Sequence, residues 1–329
     1  MSTKISIIIP AHNSGNTITK NLNSILSSKL DCVEVIVVNN GSSDNTLEIV
    51  KRYQKTDQRV VCIDSPKASV SNARNLGIKK AHGKWIVFVD ADDQLYPGAI
   101  ETFVHNVSNH NDLILFNYTV NNEPIKPYGN DMDYSHLFKR MLRNPTKCMT
   151  VWNKMFRLDL ILKNKVFFNS DLKYSEDSEF LIRYMLISQT VKASSEITYE
   201  YNVSSGSTVR KYNSNSIYEY TKAIKIIRKE LMTYPKLSEE LNLFILMQLN
   251  LIMVHNVFST NNPENFFSKV GNLKKITKEE LFNVPIRGTK LNILRGARFL
   301  PIIFIKFHFY FCSGIIYTLR VWQNNKKAN

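Results

Sequence analysis

Three carboxylates, Asp90, Asp92 and Asp93, close the apolar run Trp85-Ile86-Val87-Phe88-Val89 that follows Lys84, with Ala91 between the first two. In an extended chain, residues two apart point the same way, so Asp90 and Asp92 converge. Two convergent carboxylates suit a hard divalent cation, which binds through oxygen. Aspartate also suits an acidic turn or a helix cap, and by itself the run reads as a strand end. A second acidic cluster, Tyr174-Ser175-Glu176-Asp177-Ser178-Glu179, precedes the apolar helical pattern Phe180, Leu181, Tyr184, Met185. There Ser175, Glu176 and Asp177 fall at a helix start, where the dipole favours carboxylates.

The elements that must position these groups alternate between strand-like and helix-like up to about residue 117, the pattern of a mostly parallel sheet. Ile5–Ile9 is a first strand, ending in the turn residues of 10–15. A helix follows from Thr17 to Leu26, then a buried strand from Val33 to Val38 running into Asn39-Asn40-Gly41-Ser42-Ser43-Asp44, where Ser43 or Asp44 can cap the next helix. Val60–Ile63 is a short third strand, and Ser69–Ala81 a small-residue helix carrying Arg74. The Trp85 strand is apolar throughout, as a strand buried on both faces is. A helix opening at Pro97 and the strand Leu113–Asn117 complete this part. The polar clusters after the first, second and fourth strands all lie at carboxyl ends, the edge where open α/β sheets bind ligands. They therefore predict one cleft.

The formal net charge of +15 points to an anionic partner: nucleotide phosphates, nucleic acid or an anionic membrane. The four cysteines, Cys32, Cys62, Cys148 and Cys312, form no CxxC pair, so neither a disulfide framework nor a zinc site is expected, and a reducing cytoplasm fits. The first apolar run is too short for a signal peptide and meets Pro10 at once, so export is not expected. The loop at 39–44 lacks the G-x-G-x-x-G pattern and the Walker lysine, which excludes a dinucleotide or P-loop site there.

The set Ile8-Ile-Pro-Ala-His-Asn13, Val37-Val-Asn-Asn-Gly-Ser-Ser-Asp44, Ala73-Arg-Asn-Leu-Gly77 and Phe88-Val-Asp-Ala-Asp-Asp93, in this order and spacing, resembles the family 2 glycosyltransferases with the GT-A fold. The resemblance covers roughly the first two-thirds of the chain. It implies a Rossmann-like sheet flanked by helices and an inverting transfer of a sugar from a nucleotide-diphosphate donor, assisted by Mn²⁺ or Mg²⁺. A cation is called for because the pyrophosphate leaving group develops negative charge.

Carried over by position, the resemblance makes Asp92 the metal-bridging carboxylate and Asp90 the ribose and metal-shell partner, with Ala91 between them in the donor site. Pro10, Ala11 and Asn13 form the wall around base and ribose. Arg74 contacts the diphosphate or the base, the alternative being a surface arginine. Asn40 stands where the family usually has an aspartate that reads the pyrimidine; its amide oxygen can still accept a uracil N–H, so a UDP-sugar is the expected donor. Trp152, in Trp152-Asn153-Lys154, lines the donor sugar and acceptor side, or else is a core residue. An inverting transfer needs a base for the acceptor hydroxyl. With Asp90 and Asp92 engaged by donor and metal, the Glu-Asp pair of the family assigns Asp177 as base and Glu176 as its orienter or an acceptor contact. Arg210, with Ser207 and Thr208, falls in a Ser/Gly loop that closes over the pyrophosphate in related enzymes.

These matches divide the chain into a nucleotide-sugar half at 1–118, an acceptor half at 119–212 and a helical extension at 213–329. Residues 121–133 read as a loop or linker. The apolar stretch Phe299–Leu319 is long enough to span a bilayer but is interrupted by Pro301, Lys306 and His308. With Arg287, Lys290, Arg295 and Arg298 before it and Arg320, Lys326 and Lys327 after it, the stretch suits a helix lying on an anionic membrane surface. A helix packed on the domain or in a homo-oligomer is the alternative. The expected protein is a cytoplasmic enzyme, peripheral on the inner face of the membrane, acting on a glycan or lipid-linked acceptor of surface polysaccharide. Nucleic-acid binding is disfavoured because the aromatics are not interleaved with basic residues. A nucleotidyltransferase would carry a basic first loop, and 10–15 has no basic residue.

Overall fold

The computed structural model describes residues 4–66, 68–107, 110–129, 133–202 and 215–328. They divide into two compact units, one of residues 1–138, 146–171 and 176–204, the other of 139–145, 172–175 and 205–329.

The first unit runs β1 (Ile5–Ala11), α1 (Ile18–Leu26), β2 (Val33–Asn40), α2 (Thr46–Thr56), β3 (Val60–Ser65), α3 (Val70–Lys80), β4 (Trp85–Phe88), β5 (Gln94–Leu95), α4 (Ala99–Asn106), β6 (Leu113–Val120) and β7 (Glu123–Ile125). It continues with the start of α5 (Tyr134–Arg143), whose residues from 139 on belong to the other unit, then α6 (Pro145–Cys148) from residue 146, β8 (Lys154–Arg157), α7 (Leu158–Asn164), α8 (Glu176–Ile187) and β9 (Val191–Tyr201). Among the described residues one mixed sheet has the order β3-β2-β1-β4-β8-β6-β9-β5, with β7 paired to β6. The half β3-β2-β1-β4 is parallel. Antiparallel β8 sits between β4 and β6, and β9 returns parallel to β6. The sheet thus runs without a break across residue 118.

Two differences from the sequence reading have local causes. β2 extends past its apolar residues because β3 is longer than its apolar core, pairing Asn39 with Asp64 and Asn40 with Ser65. The stretch from Asn121, read as loop, begins as a hairpin: Asn121 and Asn122 both take positive φ, 49° and 66°, which turns β6 back into β7. Pro124 is tolerated because, among the described residues, β7 pairs only with β6.

Close packing fixes α3 on the sheet. A Cβ on Gly77 would lie 2.3 Å from Ile8 Cγ2, so only glycine lets the helix sit this near β1. Ser69 caps the helix by accepting the Asn72 N–H. Arg74, one turn before Gly77, is thereby held at the carboxyl end of the parallel strands.

The second unit contains α9 (Ser216–Leu231), α10 (Ser238–Ile252, continued by a π turn to Val257), α11 (Phe266–Lys278), α12 (Glu280–Gly288), α13 (Leu300–Lys306) and α14 (Tyr310–Ala328). The apolar stretch Phe299–Leu319 is not one span but two helices. They meet at a corner where His308 has φ 65°. Lys306 turns inward, its Nζ donating to the carbonyls of Ile286, Arg287 and Thr289 at the end of α12. It thus neutralises the negative end of that helix. Among the described residues, one helix, Pro235–Val257, is long and apolar enough to cross a membrane, and 72% of its apolar window is buried in protein.

Candidate active site

The loops after β1 and β2 are knitted together. The Asn13 N–H donates to Ser42 Oγ at 3.0 Å, and Asn13 Oδ1 accepts the Ser43 N–H at 2.8 Å. Ser14 N–H donates to Thr46 Oγ1 at 2.7 Å and Gly15 N–H to Asp44 Oδ2 at 2.9 Å. Asp44 also accepts the Thr46 N–H at the start of α2, and these bonds hold its carboxyl below the ordinary range although burial alone would raise it. The helix cap itself is Asn45. His12 Nδ1 lies 2.8 Å from the Asn40 carbonyl, so Nδ1 carries the proton of the neutral ring.

These bonds define what the proposed nucleotide wall can offer. The Ala11 and Ala91 side chains belong to the core, so any contact they make with a ligand runs through backbone. Asn13 is exposed, with its amide oxygen turned to Ser43. The Asn40 amide oxygen accepts the Ser69 N–H at 2.7 Å, so one of its two lone pairs is occupied by α3 and only the other is open to a base.

The acidic turn after β4 is fixed from three sides. Asn21 Nδ2, on α1, donates to the carbonyls of Asp90 and Asp93 at 3.0 and 2.8 Å. The Asp90 N–H donates to the Tyr199 hydroxyl, which in turn donates to Asp93 Oδ2 at 2.7 Å. Asn202 N–H donates to Asp93 Oδ1 at 2.8 Å. Asp93 is therefore buried and structural. Burial, reinforced by Asp90, pushes its carboxyl up to about 8. Asp92 projects outward. Apart from its own backbone N–H, its carboxylate has no partner among the described residues, and burial and Asp90 raise its pKa.

Arg74 joins the acidic turn to α8. Its Nη2 lies 3.0 Å from Asp90 Oδ1 and its Nη1 2.6 Å from Asp177 Oδ1, with Glu176 Oε1 at 3.5 Å. The side chain is 4% exposed and its guanidinium carbon sits 5.2 Å from the Phe168 ring centroid. It is therefore not a surface arginine. Burial would lower its pKa, but Asp177, Asp90 and Glu176 outweigh burial and hold it above its ordinary value. Glu176 and Asp177 are both raised by burial. Arg74 opposes this in each, and the Val151 N–H supports the Asp177 carboxylate.

Trp152 is buried, stacked on Tyr199 and Tyr201 at 4.5 and 5.5 Å and edge-on to Tyr118. It braces the strand that carries Tyr199. Arg210, Ser207 and Thr208 lie outside the described residues. Three residues with clear roles here were not singled out from the sequence: Asn21 and Tyr199, which pin the acidic turn, and Lys154. Lys154 is fully buried, with Nζ 2.9 Å from Asn153 Oδ1 and over the Tyr128 ring, and burial pulls it down to about 7. Its place in Trp-Asn-Lys was the available signal. Asn21 and Tyr199 left none, because their partners are distant in sequence.

A divalent cation would find two protein carboxylates at this edge, Asp92 and the outward part of Asp90. No cluster of three or more acidic, His or Cys groups capable of holding a metal occurs among the described residues. Two carboxylates with room for further oxygens fit a cation that completes its shell with substrate phosphates and water, as Mg²⁺ and Mn²⁺ do.

Residues 6–163 match the family described as Glycosyl transferase family 2. The chain is similar to EpsH of Bacillus subtilis (strain 168), 26% identical over 302 residues that cover 87% of this chain and 86% of EpsH. It is 28% identical over 211 residues to the poly(ribitol-phosphate) beta-N-acetylglucosaminyltransferase TarS of Staphylococcus aureus (strain MW2), covering 60% of this chain and 35% of TarS. Among solved structures, S. aureus TarS 1–349 in complex with UDP-GlcNAc superposes with a TM-score of 0.68 at 20% identity, covering 99% of this chain and 93% of that one. The Pyrobaculum calidifontis mannosyltransferase PcManGT in complex with GDP-Man and Mn²⁺ superposes at 0.55 and 13% identity, covering 97% and 88%. The mixed, helix-flanked sheet is the GT-A architecture of these structures.

Proposed function

We propose that this glycosyltransferase, whose residues 6–163 match Glycosyl transferase family 2, is an inverting, metal-dependent enzyme using a UDP-sugar. The acceptor is a hydroxyl of a glycan or lipid-linked glycan in surface-polysaccharide synthesis, met on the cytoplasmic side of the membrane. The observation that carries this reading is the shared guanidinium of Arg74. It brings the acidic edge of the sheet, through Asp90, within one side chain of Asp177 at the head of α8. A donor-side acid and a separate candidate base thus face one place, as an in-line displacement requires.

In this reading Asp92 and Asp90 would hold the cation, which would offset the charge developing on the leaving nucleoside diphosphate. Asp177 takes the proton of the attacking hydroxyl. Its pKa, raised by burial and by Asp90, makes it a better base than an ordinary carboxylate, and Glu176 stands beside it as an orienter or acceptor contact. Arg74 fixes the orientation of Asp177 and Asp90 together. The loops at 12–15 and 41–46 form a rigid rim for the nucleoside, and the second lone pair of Asn40 is available to a base N–H. The TarS complex supports UDP-GlcNAc as the first donor to test.

The test is a thermal-shift and turnover screen with UDP-, GDP-, CMP- and dTDP-sugars, with and without Mn²⁺. Stabilisation and slow hydrolysis with a UDP-sugar, dependent on the cation, is the expected result. Stabilisation by another nucleotide alone would replace the assigned base, and turnover indifferent to the cation would remove the metal from the reading.

A further inference from the structure

We propose that the outward face of α14 docks on an anionic lipid bilayer, lying in its surface plane. This deepens the membrane-side location proposed above and rests on it. Phe311, Ile315, Leu319 and Trp322 stand 51%, 43%, 53% and 55% exposed. Their spacing places them along one side of the helix. The opposite side, with Ser313, Tyr317 and Val321, is buried in the unit's core. Phe267 of α11, 76% exposed, meets the Phe311 ring at 6.2 Å and extends the patch sideways. From Phe311 to Lys326 the stripe is about 22 Å long, at 1.5 Å rise per residue.

Charge selects the occupant. Residues 281–329 contain eight Lys and Arg and no Asp or Glu. Two cations frame the stripe: Lys274 Nζ lies 5.8 Å from the Tyr310 ring centroid and Lys326 Nζ 4.6 Å from that of Trp322. Aromatic rings bearing a cation suit the boundary between headgroups and acyl chains, where the ring sinks and the charge meets lipid phosphate. A second copy would set the same cations against themselves across a symmetric contact, which disfavours self-association. Spanning is excluded by the shape: α13 has only seven residues, and one side of α14 is committed to the core.

The full-length chain would be sedimented with vesicles of phosphatidylcholine alone and of phosphatidylcholine with about one-third phosphatidylglycerol. The expected result is partition to the anionic vesicles only, weakened by salt and reduced about tenfold or more by Ile315→Glu with Trp322→Ser. A milder Leu319→Ser variant, with unchanged thermal unfolding, guards against loss through misfolding. Absence of binding by the wild type, binding unchanged in folded variants, or a wild-type dimer in light scattering that the variants dissolve would each overturn the proposal. Sugar-nucleotide turnover without vesicles, measured on the same samples, separates these outcomes from failure of the catalytic reading: a docking failure leaves turnover intact.

Discussion

Arg74 and Asp177 stand 103 residues apart in the chain and 2.6 Å apart in the fold. The same guanidinium reaches Asp90, so one buried cation couples the acidic turn after β4 to the head of α8. Charge-assisted bonds of this kind are strong and directional, and removing one member leaves the others uncompensated.

Arg74→Met should therefore destabilise the first unit by roughly 2–4 kcal/mol, since three partly buried carboxylates lose their counter-charge. It should also move the acidic limb of the pH–rate profile to higher pH. Arg74 opposes the burial that raises Asp177, so without it Asp177 holds its proton more tightly. Urea unfolding and a pH series of turnover read the two effects; an unmoved limb would show that Asp177 does not set it.

Asp177→Asn should lower transfer roughly a hundred- to ten-thousand-fold while leaving donor affinity within a few-fold, as loss of a general base does. Parallel donor titration and transfer assays check this. Donor binding lost along with transfer would assign Asp177 a structural role.

Asp92→Asn should leave stability within about 0.5 kcal/mol, because among the described residues the carboxylate has no partner beyond its own backbone N–H. Its effect should fall on cation-dependent donor binding, measured as the Mn²⁺ concentration needed for half-maximal donor stabilisation. Metal dependence equal to that of the wild type would remove Asp92 from the cation site.

Lys154 gives a stability signature in pH. Burial lowers its folded pKa to about 7, against about 10.4 in the unfolded chain. Between these values the unfolded state binds the extra proton, so stability rises with pH across that window and is flat in this term below it. Lys154→Met should lose that rise and keep only the slope set by the other groups, Asp93 among them, so the difference between the two proteins' urea midpoints at about pH 6 and about pH 9 reads the Lys154 contribution. Parallel curves for both proteins would show that Lys154 is charged in the fold at neutral pH.

The parallel half of the sheet was legible because each strand there is an unbroken apolar run ended by turn residues, so the strand ends and their polar loops could be read off directly. Asp90 and Asp92 were legible for the same reason. Arg74 was visible as a residue but not as a clamp, since its partners lie 16 and 103 positions away and no local pattern encodes them. Trp152 was readable only as either core or lining; the stack on Tyr199 and Tyr201 depends on a strand pairing across the sheet. The division of Phe299–Leu319 turns on one backbone choice, the left-handed conformation of His308, which composition does not reveal.

The Tyr199 hydroxyl that pins the acidic turn is separated from Asp93 by 106 residues. A ribosome adding roughly 5–20 residues per second exposes Asp93 about 5–20 s before Tyr199. The parallel strands can assemble in that interval, yet the turn waits for a strand still being made. Until Tyr199 is made, the turn has Asn21 to hold its carbonyls but lacks the hydroxyl that meets the Asp90 N–H and the Asp93 carboxylate.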